Sequence, residues 1–119
     1  MSSNSKQFGD EGEKLAGEFI QKKGFSIIEY NYRFGKGEID IIAKDGEYLV
    51  FVEVKSRKNL EFGEPEYALT KNKVNQIRKI ASAYLYEKNL IEVDCRFDVV
   101  AILQEQGKEP VINHIENAF

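Results

Sequence analysis

The sequence predicts an α/β fold, a mixed β-sheet flanked by helices, with elements in the order α-β-β-β-α-β-β. Three observations predict it. Apolar residues recur at helical spacing in two stretches and at strand-like spacing in five others. Asp45-Gly46 separates two β-rich runs, a strong signal for a two-residue hairpin. A long helical stretch lies between the Val50 run and the Val99 run, and a crossover of that length joins parallel strands.

The first helix is expected from about Gln7 to Lys23. Phe8, Gly12, Leu15, Ala16 and Phe19 form its apolar stripe, and Gly24 stops it. Phe25 to Phe34 has strand composition and ends at Gly35 and Gly37. Gly37 to Arg57 then forms the hairpin. With Asp45-Gly46 as the turn, Lys44 pairs with Glu47, Asp40 faces Phe51 and Glu38 faces Glu53. Side chains alternate along a strand. One face therefore carries Ile39, Ile41, Ala43, Tyr48, Val50, Val52 and Val54. The other carries Glu38, Asp40, Ile42, Leu49, Phe51, Glu53 and Lys55, apolar near the turn and ionised at the far end. Residues 57–70, with Gly63 and Pro65, have loop composition. A second helix follows from Lys71 to Lys88, burying Val74, Ile77, Ile80, Ala81, Tyr84 and Leu85. Cys95 to Leu103 is apolar on both faces from Val99 onward, as a central strand requires. A turn at Gln106-Gly107 leads to an edge strand from Pro110 to Ile115.

At 119 residues, 42% apolar and 31% charged, the chain has the size and balance of one globular domain over residues 1–119. That composition excludes a disordered chain. No stretch approaches a membrane span, and the polar first residues do not resemble a signal peptide. Cys95 is the only cysteine, so a reducing, cytoplasmic setting is expected. The net charge of −3 does not itself point to nucleic acid. Its distribution says more, because residues 55–88 hold eight basic and four acidic side chains. Helices with charged outer faces would produce the same excess.

Glu38, Asp40 and Glu53 crowd one end of the hairpin face. Like charges across a strand pair are destabilising, and a hard cation is the functional explanation. Magnesium takes one or two carboxylates, keeps waters, and accepts phosphate oxygens. Lys55, two residues after Glu53, is placed to orient an attacking water or offset charge on a phosphate. A solvated sheet face, with Lys55 paired to Glu53 or Glu38, would leave the same pattern.

Gly37-Glu38-Ile39-Asp40, Phe51-Val52-Glu53-Val54-Lys55 and Arg96-Phe97-Asp98-Val99-Val100 resemble the YraN family of small bacterial proteins. The resemblance runs from Gly9-Asp10-Glu11-Gly12-Glu13 through the Val99 strand. That family is grouped with the restriction-endonuclease-like superfamily, named for its PD-(D/E)xK motif and similar to archaeal Holliday-junction resolvases. The resemblance implies a restriction-endonuclease-like core. It implies Asp40 as a metal-binding residue, Glu53 and Lys55 as the acid and lysine of the motif, and the Val54 carbonyl as a further metal ligand. Glu13 resembles an acidic residue of the first helix in resolvase-like members. The pattern alone puts Glu13 at the edge of the apolar stripe, where a surface glutamate is equally at home. Ile39 stands where the motif has proline.

Beyond the cluster, Lys73 and Gln76 fall near the inward face of the second helix, within reach of a phosphate, although such a lysine often snorkels to water. Arg57 and Arg78 complete the candidate nucleic-acid contacts. Asp98 suits a salt bridge and His114 a structural role. The expected function is Mg- or Mn-dependent hydrolysis of DNA phosphodiesters, in branched or single-stranded DNA. A symmetric homodimer would be needed to cut both strands of a duplex. Two rivals share the same residues: a non-cutting nucleic-acid-binding module, and a protein-interaction domain.

Overall fold

A computed structural model of the chain describes residues 2–61 and 69–119. The elements are α1 (Ser2–Lys22), β1 (Ser26–Phe34), β2 (Gly37–Asp45), β3 (Tyr48–Arg57), α2 (Lys71–Glu87), β4 (Cys95–Leu103) and β5 (Val111–Ile115). The expected order α-β-β-β-α-β-β is observed, with α1 starting earlier than expected. Within the expected loop 57–70, residues 62–68, including Gly63 and Pro65, lie outside the described residues.

The sheet runs β1-β2-β3-β4-β5. The β3–β4 pair is parallel, as the helical crossover requires, and the other pairs are antiparallel. Each helix covers one face. Ala16 and Ile20 of α1 are fully buried against Ile41, Ala43, Val50, Val52 and Val100. Ile77, Ile80, Ala81 and Tyr84 of α2 pack on Ile39, Ile42, Leu49 and Phe51. Thr70 caps α2, its hydroxyl accepting the Lys73 amide at 3.1 Å, which satisfies one of the orphan donors of the first turn. Two glycines permit close approach. A Cβ at Gly12 would strike the Ser56 hydroxyl, and one at Gly37 would come within 2.7 Å of Gln76 and Ile80.

The hairpin register differs from expectation by two residues. Asp45 pairs with Tyr48, Lys44 with Leu49 and Ile42 with Phe51, so the turn is Gly46-Glu47. Gly46 has φ 60° and takes the first turn position, where a two-residue hairpin favours glycine. A shift of two preserves the faces near the turn, so Ile42, Leu49 and Phe51 stay together under α2. It also brings Asp40, rather than Glu38, opposite Glu53 by count. Tyr48 is not a core residue. It is 46% exposed and its ring lies 5.4 Å from the Arg96 guanidinium.

A second departure lies at Asp40. Residues two apart on a regular strand share a face. Ile41 nevertheless packs with the α1 layer and Ile39 with the α2 layer. The neighbouring strand does the same: the Tyr30 hydroxyl abuts Gly17 of α1, while Tyr32 packs under α2. Asn31, between them and level with Asp40 in the register, has φ 53°. The described pairing of β2 with β3 stops at Ile41 and Val52. Beyond that point the Asp40 carboxylate itself accepts the Val54 amide at 2.8 Å.

The other end of the sheet is held by Asp98, which is fully buried. Its carboxylate accepts from Arg96 Nε at 2.9 Å and Nη2 at 3.0 Å, from His114 Nε2 at 2.8 Å and from the Asn117 amide at 3.0 Å. Asp98 and His114 thus have the structural roles expected of them. Burial alone would push the Asp98 carboxyl up; the His114, Arg96 and Asn117 bonds outweigh it and hold it below the ordinary carboxylate value. A depressed carboxyl contributes stability that is present above its unfolded pKa, about 3.9, and lost as pH falls through the lower folded value. Asp98→Asn is expected to cost about 3 kcal/mol at neutral pH, because it leaves Arg96 without its buried counter-charge. It should also flatten the loss of stability below about pH 4. Urea unfolding across pH checks both; an unchanged acid profile would contradict the role.

Candidate functional site

The irregularity at Asp40 turns Glu38 and Asp40 toward α1. There they meet Glu13, and one carboxylate oxygen from each of the three lies within 4.8 Å of the others. Asn31 orients Glu13, its Nδ2 donating to Oε1 at 2.9 Å. Glu53 stands across from Asp40 on β3, 4% exposed. Its Oε2 is 3.4 Å from Lys55 Nζ and 3.6 Å from Lys73 Nζ of α2. Its Oε1 is buried with no hydrogen-bond partner among the described residues, as is Glu38 Oε2.

Electrostatics reflect the crowding. Burial, then the negative charge of Glu53, pushes the Asp40 carboxyl up to about 9, against the lowering effect of the Val54 amide. Burial also raises Glu13, with Glu38 and Asp10 adding to the rise and Asn31 opposing it. Four carboxyl groups are gathered here with too few donors to satisfy their oxygens. Oxygen-only donors, two of them orphaned and buried, fit a hard divalent cation such as Mg²⁺ or Mn²⁺. A cavity of about 410 Å³ opens onto the cluster, lined by Gly9, Glu13, Asp40, Val54, Lys55 and Arg57.

The expected site residues divide into three groups. Asp40, Glu53, Lys55, Glu13 and Val54 come together, with Asp40 bonded to the Val54 amide. Arg57 and Lys73 flank them: Arg57 lines the cavity, its Nε buried and without a hydrogen-bond partner among the described residues, and Lys73 pairs with Glu53. Gln76 packs over Gly37 beside a second cleft. Arg78 stands apart, its guanidinium 5.9 Å from the Phe97 ring and 5.7 Å from that of Phe119. The expected facing pair of Glu38 and Glu53 does not form. Glu38 joins Glu13 and Asp40, and Arg33 Nη2 lies 3.6 Å from its Oε2. Its part in the cluster depends on the loss of alternation at Asp40, which the apolar pattern of β2 does not disclose.

The profile of a family described as "Uncharacterised protein family UPF0102" matches residues 12–102, most of the chain and all of the cluster. The chain belongs to the UPF0102 family. This is the YraN family that its motifs resemble. Among its relatives, a UPF0102 protein of Geotalea daltonii is 49% identical over 117 residues, covering 98% of this chain and 92% of its own. One of Geobacter sulfurreducens is 44% identical, covering 99% and 92%. One of Alkaliphilus metalliredigens is 44% identical, covering 97% and 99%. Among the described residues of this UPF0102 chain, no helix is long and apolar enough to cross a membrane.

A carboxyl raised on folding costs nothing below its unfolded pKa, and its penalty grows as pH climbs toward the folded value. Stability is therefore lost between about pH 4 and pH 9 through Asp40. Asp40→Asn, melted without divalent ions at about pH 8, should gain at least about 1 kcal/mol, or roughly 4 °C in Tm. A variant less stable than wild type at that pH would contradict the crowding.

Proposed function

We propose that the chain is a metal-dependent endonuclease that hydrolyses DNA phosphodiester bonds, in branched or single-stranded DNA. The observation that carries this reading is the buried Asp40–Glu53 carboxyl pair with Lys55 beside it, next to an open cavity that Asp40 and Lys55 line. Asp40 and Glu53 are the residues that would hold Mg²⁺ or Mn²⁺, with Glu13 and the Val54 carbonyl completing the set. A divalent ion bound there supplies Lewis-acid polarisation of the scissile phosphate.

The chain's own groups supply the rest. The Lys55 ammonium, 25% exposed, orients the attacking water and offsets negative charge developing on the phosphate. Glu53 keeps Lys55 in place. Arg57, at the cavity wall, positions the strand through a backbone phosphate. The net charge of −3 leaves only local basic groups for such contacts, so intact duplex should bind weakly and lose affinity with salt. One carboxylate cluster per chain makes one cut, which favours flaps, junctions and single strands. Two cuts in a duplex require a symmetric homodimer.

Lys55→Ala is expected to bind Mn²⁺ at least as tightly as wild type while cutting at least roughly a hundredfold more slowly. Glu53→Ala should lose both properties. The measurements are Mn²⁺ titration calorimetry and cleavage of labelled junction, flap, single-stranded and duplex DNA. Wild-type cutting by Lys55→Ala, or cleavage by none of the proteins on any of the four substrates, would overturn the assignment.

A further inference from the structure

A second cleft, of about 550 Å³, lies on the α2 side of the cluster, between the β1–β2 turn and the start of α2. Arg33, Lys36, Glu38, Lys73 and Gln76 line it. Its cations are not all turned to the cleft. Lys73 Nζ lies 3.6 Å from Glu53 Oε2, and Arg33 Nη2 lies 3.6 Å from Glu38 Oε2. Both separations exceed a hydrogen bond, so each is a loose ion pair that costs little to break. The carboxylates are the more constrained partners. Glu53 is 96% buried by its 4% exposure, and each of the two glutamates has a buried oxygen with no hydrogen-bond partner among the described residues.

We propose that Lys73 and Arg33 are exchangeable counter-ions of the acidic cluster, and that the cleft between them is a phosphate subsite for a nucleic-acid strand. When Glu53 takes a divalent cation, Lys73 loses its electrostatic partner, and the added positive charge beside the Glu13–Glu38–Asp40 group weakens the hold of Glu38 on Arg33. Lys73, on the first turn of α2, and Arg33, at the end of β1, then swing into the cleft beside Lys36 and Gln76. There they meet an oxyanion of the strand backbone through charge-assisted hydrogen bonds. Cation and strand consequently strengthen each other's binding, and the coupling is reciprocal. The inference rests on the proposed metal site and adds to it the coupling between cation and strand and the residues that carry it.

The sign of the Lys73 effect on the cation is the discriminating feature. A lysine that merely packs against α2 would leave metal affinity alone, and one that organises the site would support it. A competing counter-ion opposes it. Mn²⁺ affinity is measured without nucleic acid, from the electron paramagnetic resonance signal of free Mn²⁺, for wild type, Asp40→Asn, Lys73→Met and Arg33→Met. Lys73→Met is expected to bind Mn²⁺ on the order of three- to tenfold more tightly, and Arg33→Met less so, because its side chain is 79% exposed. A second arm follows the anisotropy of a short fluorescein-labelled DNA single strand with and without Ca²⁺. Ca²⁺ should tighten binding to wild type and do so much less in Lys73→Met. If wild type and Lys73→Met bind Mn²⁺ equally while Asp40→Asn binds none, the counter-ion inference falls and the metal site stands. If wild type itself binds no Mn²⁺, both fall.

Discussion

The Asp40 carboxylate accepts the Val54 amide at 2.8 Å, and the candidate site depends on that contact. An unpaired backbone donor inside a sheet is costly, so the end of the β2–β3 ladder has to be closed by something. Asp40 closes it with its side chain instead of its backbone. β2 can then leave the regular pleat at this residue without orphaning Val54. That freedom lets Ile39 join the α2 core while Ile41 stays in the α1 core. Glu38 and Asp40 are carried to the α1 side, where Glu13 waits. A regular strand would have kept Ile39 and Ile41 together and left the carboxylates under α2.

The cost is electrostatic, and it is concentrated. Asp40 stands buried against Glu53, and its carboxyl rises to about 9. Lys55 and Lys73 compensate only Glu53, and at salt-bridge rather than hydrogen-bond distance. The far end of the sheet handles a buried carboxylate in the opposite way. Asp98 receives four hydrogen bonds from Arg96, His114 and Asn117 and is held ionised. One fold thus contains a satisfied buried acid and an unsatisfied cluster of acids. Unsatisfied titratable groups of this kind gather where proteins do chemistry, whereas a fully bonded carboxylate is structural.

Much of this was legible in the residue pattern. The element order, the parallel β3–β4 pair and the core faces of α1 and α2 follow from periodicity and from the length of the crossover. The sequence positions of Asp40, Glu53 and Lys55 place them at one end of the hairpin, although the side to which Asp40 turns does not follow from alternation. Two features were not legible, for physical reasons. An Asp-Gly pair fits a two-residue turn in either of two frames, and the frame with Gly46 first was selected by tertiary pairing. The irregularity at Asp40 leaves no trace in hydrophobicity, because Ile39 is buried on whichever face it lands. Its one sequence correlate is Asn31, a residue type that tolerates positive φ. Glu38 therefore looked like the partner of Glu53 instead of the companion of Glu13. Arg78 belongs to the basic window of residues 55–88, yet its guanidinium lies near Phe97 and Phe119, away from the cluster.

The proposed divalent-cation site, held by Asp40 and Glu53, depends on the departure of β2 from its pleat. A crystal soaked in Mn²⁺ and recorded at a wavelength where manganese scatters anomalously tests it most directly. A single strong anomalous peak in direct contact with an oxygen of Asp40 and an oxygen of Glu53 is the expected result. No peak in the cluster, or one held by Glu13 and Glu38 without Asp40 and Glu53, would contradict it.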